Sequence, residues 1–297
     1  VTDAARRATF TTLSLTGILG DIALTFTAPR LGLEGVTSGN LVLAAGVATA
    51  LVSDTKLGAV AAGKFFNQYH KLHLQDSSGN VVAGAGRDVV VSSSTEGLSG
   101  TTTVATAKDG YVLFKNLTLT QTGTTTLTFT SGDLSTTSTV VVKPGDSQGL
   151  KITTEASEAA TNNIAFAQSP VVQLLDADGN TVTTAGITVT ATITQFPAGA
   201  TATTSTPFSS TAVTNAQGVA TFTGLGIKGL IGTYTLGFTP AGGVTRASDK
   251  TVTLKSGEPK KLIVLTAPAG PVGDSTAGTW SLTQSPVIGL LDISNNP

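Results

Sequence analysis

Apolar and polar residues alternate over short stretches of this chain, and turn residues separate the stretches. Residues 72–74 read Leu-His-Leu and residues 172–174 read Val-Gln-Leu, while residues 187–193 place apolar side chains on one face and threonine on the other. Alternation with a period of two predicts half-buried β-strands. Residues 140–142 and 251–254 are predicted to be last strands of their sheets. Seven or so such strands in about 100 residues, with no amphipathic helix of useful length, predict an all-β chain of Greek-key β-sandwiches.

One stretch organises the chain because it occurs three times. Residues 174–182 read Leu-Leu-Asp-Ala-Asp-Gly-Asn-Thr-Val, residues 74–82 read Leu-Gln-Asp-Ser-Ser-Gly-Asn-Val-Val, and residues 290–297 read Leu-Leu-Asp-Ile-Ser-Asn-Asn-Pro. Each copy is a hydrophobic strand that runs into an Asp-x-x-Gly/Asn-Asn turn. A second motif, Phe-x-x-Leu-x-Leu/Ile, starts at Phe10, Phe114 and Phe222. Landmarks that recur at a common interval of about 100 residues indicate a tandem array.

The same landmarks divide the chain into four parts. The predicted parts are the C-terminal half of a repeat (1–45), two complete repeats (46–145 and 146–257) and the N-terminal half of a further repeat (258–297). The connections between them are short, so we expect an extended and fairly stiff array. We expect the chain to be a window on a longer array. The alternative is that the two half-repeats complete one another between subunits, although such a hybrid would lack its middle strands.

Composition narrows the class of protein. Charged residues make up 12% of the 297 residues and the net charge is −1, so there is no long-range field to attract nucleic acid or an anionic membrane. The chain has no Cys and no Met, which excludes disulfides and cysteine metal sites and suits an exposed extracellular life. No run of 18 apolar residues is present, so no membrane-spanning segment is predicted.

Four stretches carry a resemblance to a known family. They are Asp-x-x-Gly-Asn-x-Val from Asp176, Ala-Gly-x-x-Val from Ala185, Thr-x-x-x-Gly-Val-Ala-x-Phe from Thr214 and Gly-x-Tyr-x-Leu from Gly232. These motifs resemble the bacterial immunoglobulin-like (Big) repeats of the invasin/intimin type, and the resemblance covers nearly the whole chain. It implies tandem immunoglobulin-like β-sandwiches in a long surface protein, where such repeats act as spacers, adhesive stalks or wall-layer subunits.

The first part of the chain departs from these motifs in two places. Arg6 stands where Gly218 does, and the position of Tyr234 is taken by Ile22 in the first part and by Thr125 in the second repeat. A hydrogen bond made by that tyrosine is therefore not expected in every repeat.

The recurring turns are the first candidate site. Calcium takes carboxylate and carbonyl oxygens, and Asp176 and Asp178 form the one close acidic pair among the turns that also contain Asp76 and Asp292. The favoured interpretation is structural, because Asp and Asn side chains bond to their own backbone in turns and Gly supplies a positive φ. No metal or other cofactor is predicted beyond this calcium alternative.

Other candidates are weaker. His70 and His73 lie three residues apart in a strand and point to opposite faces, so they are predicted to be surface polar residues rather than a metal chelate. No Ser/His/Asp set is evident, so no catalytic site is predicted and the chain is not expected to be an enzyme. The glycines from Gly224 lie between strands and lack the helix that a phosphate loop needs. Asn116 begins an isolated glycosylation sequon, and Trp280 is expected to pack at a strand edge.

Two hypotheses for function follow. The first is a structural extracellular protein whose array forms part of a cell-surface layer, sheath, filament or stalk, and whose partners are copies of itself, other surface proteins or glycans. The second is an adhesin whose array presents a ligand-binding domain, with a phage virion accessory protein as a weaker variant. The second repeat is the least regular, so Phe65 and Tyr69 are the predicted contact residues if one domain makes a specific contact. Phe66 matches Phe166 and is expected in the core.

Overall fold

A computed structural model describes residues 2–204, 208–242, 246–272, 278 and 281–297. Within these residues the chain is built from 28 strands, and one short 3-10 helix, Pro29–Leu31, is its helical element. The prediction of an all-β chain is confirmed. The chain divides between Lys143 and Pro144 into two compact units, which are described separately below. Trp280 lies outside the described residues.

The first unit begins with two antiparallel hairpin-like pairs, β1 with β4 and β2 with β3. Their strands are β1 Gly20–Ile22, β2 Thr25–Ala28, β3 Leu33–Thr37 and β4 Leu41–Leu43. Much of the apolar surface of this part is exposed; Phe10 and Val36, for example, show 60% and 65% of their surface. Arg6 adopts a φ of 58° in a turn capped by Asp3, which accepts hydrogen bonds from the N–H groups of Ala5 and Arg7.

The second repeat is a complete sandwich in the same unit. Its strands are β5 Ala50–Ser53, β6 Val60–Ala61, β7 His70–Gln75, β8 Asp88–Ser93, β9 Leu98–Ser99, β10 Thr103–Ala105, β11 Tyr111–Phe114, β12 Thr118–Leu119, β13 Gly123–Ser131 and β14 Leu134–Lys143. A three-stranded sheet has the order β11-β7-β5, and a five-stranded sheet has the order β10-β8-β13-β14-β6, in which β6 pairs parallel with β14. Strands β5 to β8 alternate between the two sheets, β9 pairs with β12 in a separate two-stranded sheet, and β13 and β14 form a hairpin in the larger sheet. This is a Greek-key arrangement.

The third repeat, in the second unit, has the same topology. Its strands are β15 Gly149–Thr154, β16 Ala159–Thr161, β17 Val171–Leu175, β18 Thr188–Gln195, β19 Ala202–Thr203, β20 Thr211–Val213, β21 Val219–Thr221, β22 Lys228–Gly229, β23 Gly232–Pro240 and β24 Arg246–Lys255. The sheets are β15-β17-β21 and β16-β24-β23-β18-β20, and β16 again pairs parallel with the last strand. Both complete repeats are therefore immunoglobulin-like sandwiches, as the sequence predicts.

The last part of the chain contributes two antiparallel pairs, β25 with β28 and β26 with β27. The strands are β25 Lys261–Thr266, β26 Ala269–Val272, β27 Ser281–Gln284 and β28 Val287–Leu291.

Each complete repeat has its own hydrophobic core, formed by the inward positions of the alternating strands. In the second repeat the core extends from Leu51 to Val142, and in the third from Leu150 to Leu254. Burying one Leu or Phe side chain stabilises a fold by about 1.5–3 kcal/mol, and each core contains more than a dozen apolar residues. The four-part division of the sequence stays a prediction, and residues 1–45 and 258–297 contribute to neither core cluster.

Candidate functional site: the Asp–Asn turn at the repeat junctions

The recurring turn has the same backbone in all three copies. In each, the N–H of the Asp bonds to the carbonyl of the Asn four residues later, at 2.9 Å. The residue before that Asn has a positive φ, 88° at Gly79, 84° at Gly179 and 64° at Asn295. Gly and Asn tolerate this left-handed conformation, which explains why these two residue types alternate at that position.

One carboxylate oxygen of each Asp holds its own turn together. Oδ1 of Asp76 accepts hydrogen bonds from the N–H groups of Ser78 and Asn80, both at 2.9 Å. Asp176 and Asp292 accept the corresponding pairs at 2.8–3.0 Å. These are the local bonds that the structural interpretation of the turns predicts.

The other carboxylate oxygen bonds to a glycine at the junction through which the chain enters the repeat or segment. Gly46 donates its N–H to Asp76 at 2.9 Å, and Gly145 and Gly257 donate theirs to Asp176 and Asp292 at 2.9 and 2.8 Å. Each turn therefore fixes the point at which the chain enters the new repeat.

The Asn of the turn reaches back to the preceding repeat. The side-chain amide of Asn80 donates to the carbonyl of Gly17 at 2.9 Å, and its oxygen accepts from the N–H of Leu19 at 3.1 Å. Asn296 makes the same pair of bonds with the carbonyl of Gly229 and the N–H of Ile231, both at 2.9 Å. Both amides also bond to their own Asp.

We call this arrangement the Asp–Asn clasp. It consists of Asp76 and Asn80 in the second repeat, and of Asp292 and Asn296 in the last part of the chain. Each clasp binds one loop of the preceding repeat through backbone groups and one junction glycine through a carboxylate. The turn of Asp176 and Asn180 has the same internal bonds.

The clasp of Asp292 has additional support. Asn162 donates its amide to Oδ2 of Asp292 at 2.7 Å and accepts from the N–H of Gly229 at 2.9 Å. The hydroxyl of Tyr234 donates to the carbonyl of Leu230 at 2.6 Å, which holds the loop that Asn296 binds. The tyrosine hydrogen bond is thus present in this repeat.

The hydrogen bonds to the clasp stabilise the ionised carboxylates. The amide of Asn80, together with the N–H groups of Gly46 and Asn80, lowers the pKa of Asp76 to about 2. Burial alone would raise the pKa of Asp292, but bonds from Gly257, Asn296 and Asn162 outweigh it and hold the pKa well below the ordinary value. This stabilisation is complete above the ordinary pKa and is lost as the pH falls through the lowered values.

The calcium candidates differ in their surroundings. Asp176 is buried, and its two carboxylate oxygens accept three backbone N–H groups and the amide of Asn180, which lower its pKa although burial opposes them. Asp178 is exposed and enters the turn through its N–H. Among the described residues no group of three or more acidic or histidine side chains comes together. Calcium at Asp176 and Asp178 stays the alternative prediction for this turn.

The prediction that His70 and His73 are surface polar residues is wrong. His70 faces the core, where its ring stacks on Phe129 with centroids 4.5 Å apart, and burial lowers its pKa to about 4. His73 points to the opposite face, yet it is covered by the ring of Tyr111, and its Nδ1 lies 2.9 Å from a carboxylate oxygen of Asp54. A neutral imidazole can occupy an aromatic core position, which the hydrophobic pattern alone does not reveal.

The predicted contact residues of the second repeat are exposed. Phe65 and Tyr69 show 62% and 57% of their surface, and the ammonium of Lys115 lies 6.0 Å from the centre of the Tyr69 ring. Phe66 is partly buried against the core, as expected. Their role as contact residues remains a prediction.

Two weaker candidates have ordinary structural surroundings. Gly224 lies in the turn between β21 and β22, with a φ of 78°. The exposed amide of Asn116, in the sequon, bonds to both the N–H and the hydroxyl of Thr101 at 3.0 Å.

Solved structures of a surface layer protein and of an adhesin are among those similar to this chain, at low sequence identity. Domains 4–9 of the surface layer protein SbsC are similar at 19% identity over 85% of this chain and 37% of that one, with a TM-score of 0.28. The Escherichia coli adhesin FdeC is similar at 18% identity over 86% and 78%, with a TM-score of 0.36. InvD of Yersinia pseudotuberculosis is similar at 18% identity over 81% and 71%, with a TM-score of 0.34.

The chain spans little more than a third of the SbsC segment that it matches. No family model matches the chain, and no curated protein sequence matches it. Within the described residues, no helix has the length and apolar character needed to cross a membrane. Identities and TM-scores of this size say nothing about what this chain binds.

Proposed function

We propose that this chain is a non-catalytic structural segment of an extracellular immunoglobulin-like array, in which clasped junctions hold consecutive repeats in a fixed orientation. The observation that carries the proposal is the repetition of one set of bonds at two junctions. Asn80 and Asn296 each bond to a carbonyl and an N–H in the equivalent loop of the repeat before them.

The energy of these bonds is enough to restrict bending. A neutral hydrogen bond contributes a net 0.5–1.5 kcal/mol, and one to a charged group about 1.5–3 kcal/mol. At the junction before the last part of the chain, Asp292 and Asn296 together bond to Gly257, Asn162, Gly229 and Ile231. Bending at that junction would break several of these bonds at once. A short connection with such bonds acts as a stiff joint rather than a flexible linker.

This mechanical role fits a component of a cell-surface layer, sheath, filament or stalk. The absence of Cys and Met leaves no sulfur to oxidise, which suits exposure outside the cell. The partners in this proposal are further copies of the chain or other surface proteins.

Electron microscopy of the native material at near-atomic resolution tests the proposal. We expect a lattice, filament or stalk in which the two clasped junctions of this chain have constant angles. A native particle in which the chain is a flexible tether between other domains would contradict it.

A second candidate function is favoured by the exposure of Phe65 and Tyr69. In this alternative the array presents the second repeat as a contact surface of an adhesin. The double substitution Phe65→Ser and Tyr69→Ser should then abolish retention of the labelled protein on target cells, with Val213→Ser, an equally exposed apolar position in the third repeat, as the matched control. Equal retention of both variants would reject the adhesin alternative for this surface.

A further inference from the structure

The three-stranded sheet of the second repeat combines aromatic and cationic side chains on its outer face. Core residues alternate with outward residues along β7 and β11, because successive side chains of a strand point to opposite faces. The outward residues of these strands and of the positions that continue them are Tyr69, Lys71, His73, Tyr111, Leu113 and Lys115. We call the surface formed by Tyr69, Lys71, Tyr111 and Lys115 the lysine–tyrosine face.

The strand pairing places each lysine of this face beside a tyrosine. Tyr111 pairs with His73, and Lys71 is the next outward residue along the same strand. The ammonium of Lys71 lies 3.6 Å from the centre of the Tyr111 ring, and that of Lys115 lies 6.0 Å from the centre of the Tyr69 ring. Both distances are within the range of cation–π attraction, so the rings hold the two lysine side chains along the sheet.

Lysines held in this way are suited to bind an anion. A lysine that is free in solvent loses much rotamer freedom when a ligand fixes its ammonium group. Lys71 and Lys115 have already lost part of that freedom to their tyrosine neighbours, so a ligand that pairs with them pays a smaller entropic cost.

The surroundings of the face are positively charged. Residues 54–75 and 108–118, which contain the face and its adjoining loops, include five lysines and two aspartates, whereas the whole chain has 17 basic and 18 acidic residues. Asp54 is already engaged, since its carboxylate oxygen lies 2.9 Å from Nδ1 of His73. Asp109 lies at the far end of β11, where it accepts the N–H of Tyr111 at 3.2 Å. The second repeat therefore presents a local positive field on a chain of nearly zero net charge.

The third repeat provides the internal comparison, because it has the same strand order and register. The equivalent outward positions on and beside β17 and β21 are Ser169, Val171, Gln173, Val219, Thr221 and Thr223. None of these side chains is charged or aromatic. The sandwich fold therefore does not require the lysine–tyrosine face, which is a specialisation of the second repeat.

We propose that the lysine–tyrosine face binds an acidic polysaccharide. Its two lysines pair with carboxylate groups of the polymer, and the ring of Tyr69, which is 57% exposed, packs against the apolar face of a sugar ring. This inference goes beyond the structural role of the clasps. It also gives a ligand class to the repeat that the adhesin alternative selects as the contact surface.

The size of the face favours an extended polymer over a folded protein. Adjacent strands are about 4.8 Å apart and outward residues along one strand about 7 Å apart, so the face covers about 200 Å². A stable interface between folded proteins buries about 800 Å² on each partner. A polymer does not need such an area, because its repeating units can engage several copies of the face at once.

The positions of the rings favour a polysaccharide over a single-stranded nucleic acid. Proteins that bind single strands offer free aromatic faces on which bases stack. The half-buried ring of Tyr111 is not free, since Lys71 covers one of its faces and the His73 ring lies 5.4 Å away, measured between centroids. Tyr69 alone leaves too little aromatic surface for successive bases.

Binding of the full chain to immobilised polygalacturonic acid, measured by biolayer interferometry, tests this inference. We expect saturable binding that weakens at least about tenfold when the NaCl concentration is raised from about 50 to about 500 mM, because salt screens the ion pairs. Dextran, a polysaccharide without charge, should not bind.

Variants locate the site. Lys71→Gln with Lys115→Gln should weaken binding at least about tenfold, whereas Lys71→Arg with Lys115→Arg should retain it, because the guanidinium keeps both the charge and the contact with the ring. The matched control, Lys151→Gln with Lys255→Gln, removes the same charge from exposed strand positions of the third repeat and should bind like the unmodified chain. Tyr69→Leu keeps the charge and should weaken binding about threefold.

Four outcomes would overturn the inference. They are an absence of binding to polygalacturonic acid, equal binding to dextran, undiminished binding of the Lys71→Gln and Lys115→Gln variant, and tighter binding to oligothymidylate than to polygalacturonic acid. The last result would assign the face to nucleic acid. None of the four bears on the stiffness of the junctions, so failure here is distinguishable from failure of the proposed structural function.

Discussion

The second and third repeats share one topology and differ in the polar side chains that they bury. The second repeat buries His70 in its core, where the third has Pro170. The third repeat buries Asn162 in its junction, where the second has Ala62. Two repeats with the same strand order can therefore respond differently to pH. The alternation of apolar residues determines the fold that the two repeats share, whereas the buried polar residues are what distinguishes one repeat from the other.

The largest expected effect tests whether the two repeats are independent folding units. Phe129 and Phe238 are fully buried on β13 and β23, at equivalent core positions. Substituting either with Ala should lower the free energy of unfolding of its own repeat by about 3–5 kcal/mol, because it removes buried surface and leaves a cavity. Hydrogen exchange followed by mass spectrometry should show loss of protection in that repeat alone. Equal loss in both repeats would mean that they unfold as one unit.

The next effect concerns acid sensitivity of the second repeat. The pKa of His70 is about 4 in the folded chain, below its ordinary value of 6.5, because burial disfavours the charged ring. Between these two values the unfolded chain binds the proton more readily, so the folded second repeat loses stability as the pH falls from about 6.5 to 4. The full loss is about 3 kcal/mol.

The third repeat is the internal control for this prediction, since Pro170 stands at the equivalent position. Denaturant titrations at pH 7 and pH 4 should show the second repeat weakened relative to the third. His70→Phe should remove the difference, because a phenyl ring can stack on Phe129 without a proton to bind. A second repeat of unchanged relative stability at pH 4 would contradict the account.

A smaller effect is expected at the junction that Asn162 supports. Asn162→Ala gives this repeat the residue of the second and removes one donor from Asp292, at a cost of about 1.5–3 kcal/mol in that junction. Asn162→Asp should cost more, because it places a second carboxyl group beside the carboxylate of Asp292. Exchange rates of the Gly257 and Ile231 amides report the loss. Faster exchange in the Asn162→Ala variant than in the Asn162→Asp variant would contradict this account, because it would show that the added carboxyl group does not repel the carboxylate of Asp292.

The smallest effect is expected from calcium. The oxygens of Asp176 already accept backbone N–H groups, so a bound ion would have to displace several hydrogen bonds. Addition of calcium or of a chelator should leave the thermal unfolding of the third repeat unchanged. A saturable stabilisation by calcium that Asp178→Asn removes would restore the calcium interpretation of this turn.

The sequence predicts the strands well because successive side chains of a strand point to opposite faces, so the alternation of apolar and polar residues is also an alternation of buried and exposed positions. Val172 and Leu174 are fully buried, and the predicted last strands at 140–142 and 251–254 lie within β14 and β24. The core position of His70 was not predicted, because histidine is a polar residue. Its neutral form is favoured only when the surrounding fold removes the ring from water.

The clasp was only half predicted. The Asp side chain bonds locally, over two and four residues, so its role follows from the turn motif. The Asn bonds to backbone groups 61 to 67 residues earlier in the chain. A partner that offers only its peptide group leaves no side-chain signature, so pattern reasoning cannot find it.

The central claim is that the clasp fixes one repeat relative to the next. Because the chain has no cysteine, spin labels at Thr221→Cys and Thr283→Cys report a single distance across the junction before the last part of the chain. Pulsed electron resonance should give a narrow distance distribution in this background and with the control Ser294→Ala, which enters the turn through its backbone N–H. Asn296→Ala should broaden the distribution strongly. An equally narrow distribution without Asn296, or a broad one with it, would contradict the claim.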